Sequence, residues 1–257
     1  MVVDRRELDF VLYELFVVED ILRHSRFAAY DRSAIVQMLD TAQQIAEDKF
    51  LPISAEVDAD EPAFLDGKVA MPAATGDALR AFAEAGFFAL PFPENVGGLQ
   101  APWFLHTAIS GMFTCANVSV ANYAFLTIAA ANLLNAFGTE QLRKIFLQPM
   151  LEGRWFGTMC LSEPQAGSSL ADIRTTATEA PGGLYRIKGS KMWISGGEQE
   201  ISENIVHMVL AKIPGGPAGT KGISLFLVPK RLVGATPLQP GARIVRRTEI
   251  AGERRHD

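Results

Sequence analysis

The segment Thr158-Met-Cys-Leu-Ser-Glu-Pro-Gln-Ala-Gly-Ser-Ser169 marks where this chain changes character. Its opening reads as the end of a strand, Arg154–Leu161, that starts just past the helix-stopping Gly153. Glu163-Pro164 breaks the extended run, and Ala166-Gly-Ser-Ser169 turns the backbone. Gly167 lets a ligand approach the main chain closely, and neighbouring amides with the Ser168 hydroxyl can donate to phosphate oxygens. Ser162, at the strand end, is placed to donate to a polar ring edge. Alone, the segment reads more readily as an ordinary Ser/Gly turn.

A second segment follows closely, Lys191-Met-Trp-Ile-Ser-Gly-Gly197. It reads as a further strand, Lys191–Ile194, with Trp193 at its centre. By itself Trp193 is a core tryptophan. The functional alternative makes it an aromatic lid on a flat ring, with Ser195 and the local backbone bonding the ring edge.

Outward from these segments the chain divides in two. Before Gly153 it is helical. Leu8, Val11, Leu12, Leu15, Phe16, Glu19 and Leu22 follow the three-to-four spacing of one apolar helix face. Ser33 is expected to cap a second helix that runs through Ile35, Leu39, Ala42, Ile45 and Ala46 and ends at Pro52. Ala78 to Ala85 leads into a Gly86 stop, and Trp103–Phe113, Val118–Phe137 and Glu140–Leu151 follow, with Thr139 as a cap. After Gly153 come short segments rich in β-branched or aromatic residues: Arg154–Leu161, Leu184–Lys188, Lys191–Ile194, Asn204–Ile213 and Gly222–Val228. Helices first and strands later indicate a multi-domain α+β chain: an N-terminal all-α helical domain, then a β-domain.

Composition narrows the class. With 257 residues, 48% hydrophobic and 21% charged, the chain can bury a sizeable core. A formal charge of -5 gives no basic excess for nucleic acid. Cys115 and Cys160 lie in unlike segments, which points to a reducing, cytoplasmic compartment, and the four histidines form no pair at metal spacing. The N-terminus shows no secretion signal. Val118–Phe137 is interrupted by Asn122, Asn132 and Asn135, so a buried helix is expected there and no membrane span. Gly215-Gly-Pro-Ala-Gly-Thr-Lys-Gly222 lacks the Gly-Lys-Ser/Thr of a P-loop, no GxGxxG follows a strand, and Ala166-Gly-Ser-Ser is not a nucleophile elbow. A hydrolase or transferase reading would need a nucleophile beside a base, and the sequence offers none.

The two segments in this order resemble the middle domain of the acyl-CoA dehydrogenases. The supporting pattern is Pro93-Glu-Asn-Val-Gly-Gly98, Gly138-Thr-Glu-Gln-Leu-Arg-Lys144, Leu151-Glu-Gly153, Met159-Cys-Leu-Ser-Glu-Pro164, Ala166-Gly-Ser168, Ile187 through Ser195, and Gly222-Ile-Ser-Leu-Phe-Leu-Val228. It covers the chain from Leu8 to about Val233. Leu8–Phe16, Ser202-Glu-Asn-Ile-Val206 and Pro217-Ala-Gly-Thr-Lys-Gly222 resemble the long branch related to 3-methylmercaptopropionyl-CoA dehydrogenase. Ser162 stands where many members have Thr, Ser169 where Asp is usual, and Gln165 where a small residue or His is common.

The resemblance implies an N-terminal helical extension (1–32), a helical domain (33–153) and a β-barrel-like middle domain (154–233); residues 234–257, with Arg243, Arg246, Arg247, Arg254 and Arg255 among few apolar residues, depart from the family pattern and are expected to form a divergent, disordered tail. It implies FAD as cofactor, an acyl-CoA substrate, an electron-transfer flavoprotein as partner, homo-oligomerisation and a place in fatty acid metabolism. Met159, Cys160, Leu161 and Ser162 would line the flavin, with Ser162 bonding near N5. Ser168 would meet the pyrophosphate or the acyl-CoA, and Trp193, Ile194 and Ser195 would cover the ring. The family's catalytic base lies in a C-terminal helical domain, so no catalytic residue is expected before Asp257, and Glu163 is not given that role. The loss of pattern after Val233 leads us to expect a truncated member, perturbed by a frameshift or early stop. The competing expectation is a non-catalytic flavin- or acyl-CoA-binding fragment, or an inactive remnant.

Overall fold

A computed structural model describes residues 2–233. The expected divergent tail, 234–257, with its arginines, lies outside the described residues. In chain order the helices are α1 (Arg5–Asp9), α2 (Glu19–Leu22), α3 (Arg32–Ile45) and α4 (Ser54–Ala59). The hairpin β1 (Ala63–Leu65) and β2 (Lys68–Ala70) follows. Then come α5 (Ala73–Glu84), α6 (Trp103–Ala116), α7 (Val118–Phe137), α8 (Glu140–Leu142) and α9 (Gln148–Leu151). The remaining strands are β3 (Trp155–Cys160), β4 (Thr176–Ala180), β5 (Leu184–Lys188), β6 (Asn204–Lys212) and β7 (Ile223–Pro229). Helices thus precede a mixed sheet, as the sequence indicates.

Two compact units share this chain. The first comprises the residues up to Pro62, Met71–Phe125 and Leu151–Gly153; the second comprises Ala63–Ala70, Leu126–Met150 and Arg154 onward.

The first unit is built on aromatic packing. Phe113 on α6 meets Phe50 edge-on at 4.7 Å and Phe82 of α5 at 4.8 Å, and Phe82 meets Phe88 at 5.0 Å. Such tilted pairs add to the burial of their large apolar area. Asn117 ties the start of α7 to this cluster: its side-chain amide donates to Phe50 O at 3.3 Å, and its Oδ1 accepts from Val120 N at 3.2 Å. α7 is long and apolar enough to cross a membrane by composition, yet Val120, Ala124, Ile128, Ala131 and Leu134 are buried.

Local expectations need four corrections. The apolar stripe from Leu8 to Leu22 is not one helix: α1 widens into a π-type turn over Phe10–Leu15, and the chain breaks at Val17, whose φ is +47°. Periodicity reports a shared face, which survives a break because Leu12, Tyr13 and Val18 stay buried on both sides of it. Asp31, not Ser33, caps α3, its carboxylate accepting from Ala34 N at 2.8 Å, while Ser33 sits inside the first turn. The hairpin β1–β2 turns through Asp66-Gly67, both at positive φ, a strong turn signal that three-residue arms left unread. Lys191–Ile194 is not a strand, and Trp193 therefore does not sit at a strand centre; β4, unforeseen, takes its place in the sheet.

In the second unit β6 is the central strand. β7 pairs antiparallel along one edge over Val206–Lys212. The other edge serves two partners: β3 pairs parallel from Asn204 to Val209, and β4 begins at Lys212, pairing parallel through Thr176 and carrying β5 antiparallel beside it. Among the described residues this ladder runs open from β5 to β7. One sheet face packs on helical residues of the same unit at Gly157, whose N–H donates to Thr127 Oγ1 at 3.0 Å. A Cβ there would lie 2.5 Å from Ala130 Cβ and 2.9 Å from Met150 Cε. We therefore expect Gly157→Val to force β3 off the helices at a cost of about 1–3 kcal/mol, read as a lower melting temperature with the spectrum of a folded protein retained; an unchanged melt would show that this contact gives way freely.

Candidate functional site

Because β3 stops at Cys160 and β4 starts at Thr176, residues 161–175 leave the sheet at the point where β6 changes partner. Both sequence segments meet there. Met192 N donates to Ser162 O at 3.1 Å, and Lys191 Nζ donates to Leu161 O at 3.0 Å and to Glu163 Oε1 at 2.8 Å. Two segments thirty residues apart in sequence are thus joined by main-chain and side-chain bonds.

Glu163 is the centre of this junction. Its Oε1 also accepts from Thr175 N at 3.1 Å, and its Oε2 accepts from Arg174 N at 2.6 Å and from Gln165 Nε2 at 2.7 Å. The turn itself closes by reciprocal bonds between Glu163 and Ala166 at 2.8 and 3.0 Å. Burial raises the pKa of the carboxyl, but the donors of Arg174, Lys191, Thr175 and Gln165 outweigh it and hold the value at about 2. A carboxylate so satisfied is a fastener and not a base.

The expected site residues separate by direction. Cys160 lies in a core cluster with Ala177, Tyr185, Ile187, Val209, Ala211, Phe226 and Val228, and Ile194 packs against the same cluster. Their side chains brace the site from behind. Met159 and Leu161 are half-buried, as is Ser162, while Ser168, Trp193 and Ser195 are exposed. Trp193 is 63% exposed and has φ +60°, a left-handed conformation that is costly for a bulky residue. Among the described residues, the hydroxyls of Ser162, Ser168 and Ser195 take part in no hydrogen bond. Gly167 has nothing within 4 Å of where a Cβ would stand, so its neighbourhood is open. The structure thus joins the backbones of Ser162 and Met192, leaves the Trp193 indole exposed one residue further on, and sends the Cys160 thiol inward.

Two features escaped the sequence. Lys191 and Glu163 form a buried ion pair, with side chains 8% and 3% exposed; a charge beside Met192 and another between Ser162 and Pro164 were a readable hint, since buried charges need partners. Thr158 Oγ1 lies 2.7 Å from His207 Nδ1 across the β3–β6 pair, with Cys160 Sγ 3.9 Å from the same nitrogen. That Cys–His proximity is not a nucleophilic pair. Burial pushes the thiol up to about 11, against the smaller opposing effects of Thr158 and Lys191. Among the described residues no group of acidic, His and Cys side chains could hold a metal ion.

The depressed pKa of Glu163 links the junction to acid stability. Its carboxylate contributes stability above its ordinary pKa of about 4.5, and that contribution is lost as pH falls through about 2. Glu163→Gln should therefore be destabilised at pH 6 relative to the unsubstituted chain, with the gap closing toward pH 2.5. Urea denaturation across that range checks this; a gap independent of pH would mean the carboxylate is not held ionised.

The acyl-CoA dehydrogenase N-terminal domain matches residues 34–154 and the acyl-CoA dehydrogenase middle domain matches residues 158–254. The chain is 33% identical over 226 residues to 3-methylmercaptopropionyl-CoA dehydrogenase of Ruegeria pomeroyi, covering 86% of this chain and 38% of that protein. It is 35% identical over 246 residues to a broad-specificity linear acyl-CoA dehydrogenase of Mycobacterium tuberculosis, covering 93% of this chain and 39% of that one. It therefore spans less than two fifths of the length of these relatives. The solved structure of PigA with FAD and proline shares the fold, with a TM-score of 0.62 at 19% identity over 78% of this chain and 49% of that one. Two domain matches in sequence order, over residues 34–154 and 158–254, show that the chain belongs to the acyl-CoA dehydrogenase family.

Proposed function

We propose that this chain carries the flavin-binding portion of an FAD-dependent acyl-CoA dehydrogenase, acting in α,β-dehydrogenation of an acyl-CoA thioester. The observation that carries the reading is the junction at Ser162: two segments clasped together, with the Ser162, Ser168 and Ser195 hydroxyls unspent and the Trp193 indole exposed one residue past the clasp. That donor set fits a flavin. Half-buried Ser162 suits the polar ring edge, exposed Ser168 in its open glycine turn suits a pyrophosphate or the acyl-CoA, and Trp193 with Ser195 suits the ring's cover. Met159, Leu161 and the backbone at Cys160 complete the lining, and Ile194 anchors the Trp193 loop to the core. FAD, when bound, supplies the acceptor for a hydride from the thioester β carbon. The described site residues of this chain bind and orient.

The fold shared with an FAD complex and the two relatives' names support the cofactor and the substrate class. By the same family reasoning we propose an electron-transfer flavoprotein as the acceptor, a homo-oligomer, and a cytoplasmic role in fatty acid metabolism; the free thiols of Cys115 and Cys160 suit a reducing compartment.

One observation favours a second reading, binding of flavin or acyl-CoA without turnover. Glu163, the buried carboxylate at the junction, has its two oxygens occupied by four donors and cannot serve as the base. The visible absorption spectrum of the purified chain, with FAD added where none co-purifies, tests the shared premise: bound flavin supports both readings, and its absence sinks both. Turnover of an acyl-CoA with an artificial electron acceptor separates them. Trp193→Ala should weaken FAD binding roughly tenfold or more, the scale of one lost stacking partner, measured by flavin titration.

A further inference from the structure

We infer that Lys191 and Glu163 are positioning residues for the flavin site: their buried ion pair holds Trp193 in its left-handed, outward conformation. The inference deepens the flavin reading and rests on it for purpose, though not for its test.

The argument begins with the strain. Trp193 is a large aromatic residue at φ +60°, a region that bulky side chains avoid, and it is exposed, so its indole gains little from packing. Neighbours must impose the conformation. On one side Ile194 is pinned to the core cluster, and Gly197 N donates to Ile194 O at 2.9 Å. On the other side Met192 N is tied to Ser162 O, and Lys191 Nζ is tied to Leu161 O and Glu163 Oε1. Trp193 is the residue between these two anchors, so the backbone turn falls on it.

The second anchor depends on Glu163. Its four donors come from the 161–166 turn, from Arg174 and Thr175 at the entry to β4, and from Lys191. Packing locks the same corner: a Cβ on Gly189 would lie 2.2 Å from Thr175 Oγ1, so the chain leaving β5 passes directly against Thr175. The pair spends the Lys191 charge inside the protein. Lys191 is therefore not a ligand for phosphate; its work is to hold the Leu161 and Ser162 carbonyls toward residues 191–192, leaving the Ser162 hydroxyl uncommitted.

The test uses Trp193 itself as reporter, in a chain carrying Trp103→Phe and Trp155→Phe. Glu163→Gln with Lys191→Met removes both charges together, which avoids stranding either one buried. Time-resolved emission anisotropy of Trp193 should show slow tumbling in the parent. In the double variant a fast nanosecond component should grow at least twofold, with the far-ultraviolet spectrum unchanged. Lys191→Arg, which keeps a donor for both partners, should keep the slow decay. Unchanged anisotropy in a folded double variant overturns the inference. Should that variant not fold, Trp193→Gly decides the matter: a residue at ease at positive φ should raise the melting temperature by a few degrees while FAD binding is lost, and a lowered melting temperature overturns the imposed strain. FAD titration of the parent is read separately. Failure of the parent to bind FAD refutes the flavin reading, while the anisotropy still rules on the clasp.

Discussion

One edge of strand β6 has to satisfy two partners, and the rest of the second unit follows from that constraint. β7 occupies the opposite edge, so β3 and β4 must share what is left, one ending at Cys160 opposite Val209 and the other starting at Thr176 opposite Lys212. Backbone groups in a buried sheet need partners, so the handover cannot be loose. The chain between must leave the sheet, turn and re-enter within the span of a few β6 residues. The 161–175 segment is the consequence: a loop fixed at both ends by ladder bonds and therefore able to present groups in a set direction.

Such a loop needs its interior satisfied. The Glu163 carboxylate supplies four acceptor bonds at the place where Arg174 N, Thr175 N, Gln165 and Lys191 converge. An ion pair this buried contributes little net stability compared with apolar packing, because desolvation offsets much of the attraction. Its value lies in direction. It orients two carbonyls and one strained tryptophan, which apolar side chains of equal volume would leave free to rotate. A second polar knot works alike at the other end of the 196–203 loop. There the Lys230 ammonium meets the carboxylates of Glu198 and Glu200 and the carbonyl of Gln199, and Asn204 Oδ1 accepts from Ile205 N and Arg231 N. Both ends of the segment that carries Trp193 are thereby fixed to the sheet.

What the sequence made legible follows the range of each interaction. α7 could be read to the residue because its apolar run and the Gly138 after it are local signals. β5 was equally clear, bounded by Gly183 and Gly189. β4 was missed because Thr176–Ala180 has no apolar run of its own; only Ala177 is buried, and pairing with β5 makes it a strand. Lys191–Ile194 failed in the opposite sense. Its composition favours a strand, but a lysine bonded across to Leu161 and Glu163 pulls it out of any ladder. Strand propensity reports fitness for a pleated surface, and tertiary bonds decide whether one is present.

The same distinction explains the site. The ligand roles of Ser162, Ser168, Trp193 and Ser195 came from the family resemblance, because their residue types alone fit a Ser/Gly turn and a core tryptophan equally well. The role of Cys160 could not be read that way: strand alternation places neighbours on opposite faces, and which face meets the core depends on β6, forty-nine residues beyond it at Val209. Burial then settles its chemistry, since a thiol raised to about 11 stays protonated at neutral pH. Trp193 is the inverse case. A tryptophan beside apolar Met192 and Ile194 reads as core, yet a single left-handed residue reverses its direction and sends it outward while Ile194 goes in. A buried ion pair and a strained backbone beside an exposed tryptophan support the proposal that its indole is held for contact with something outside the chain.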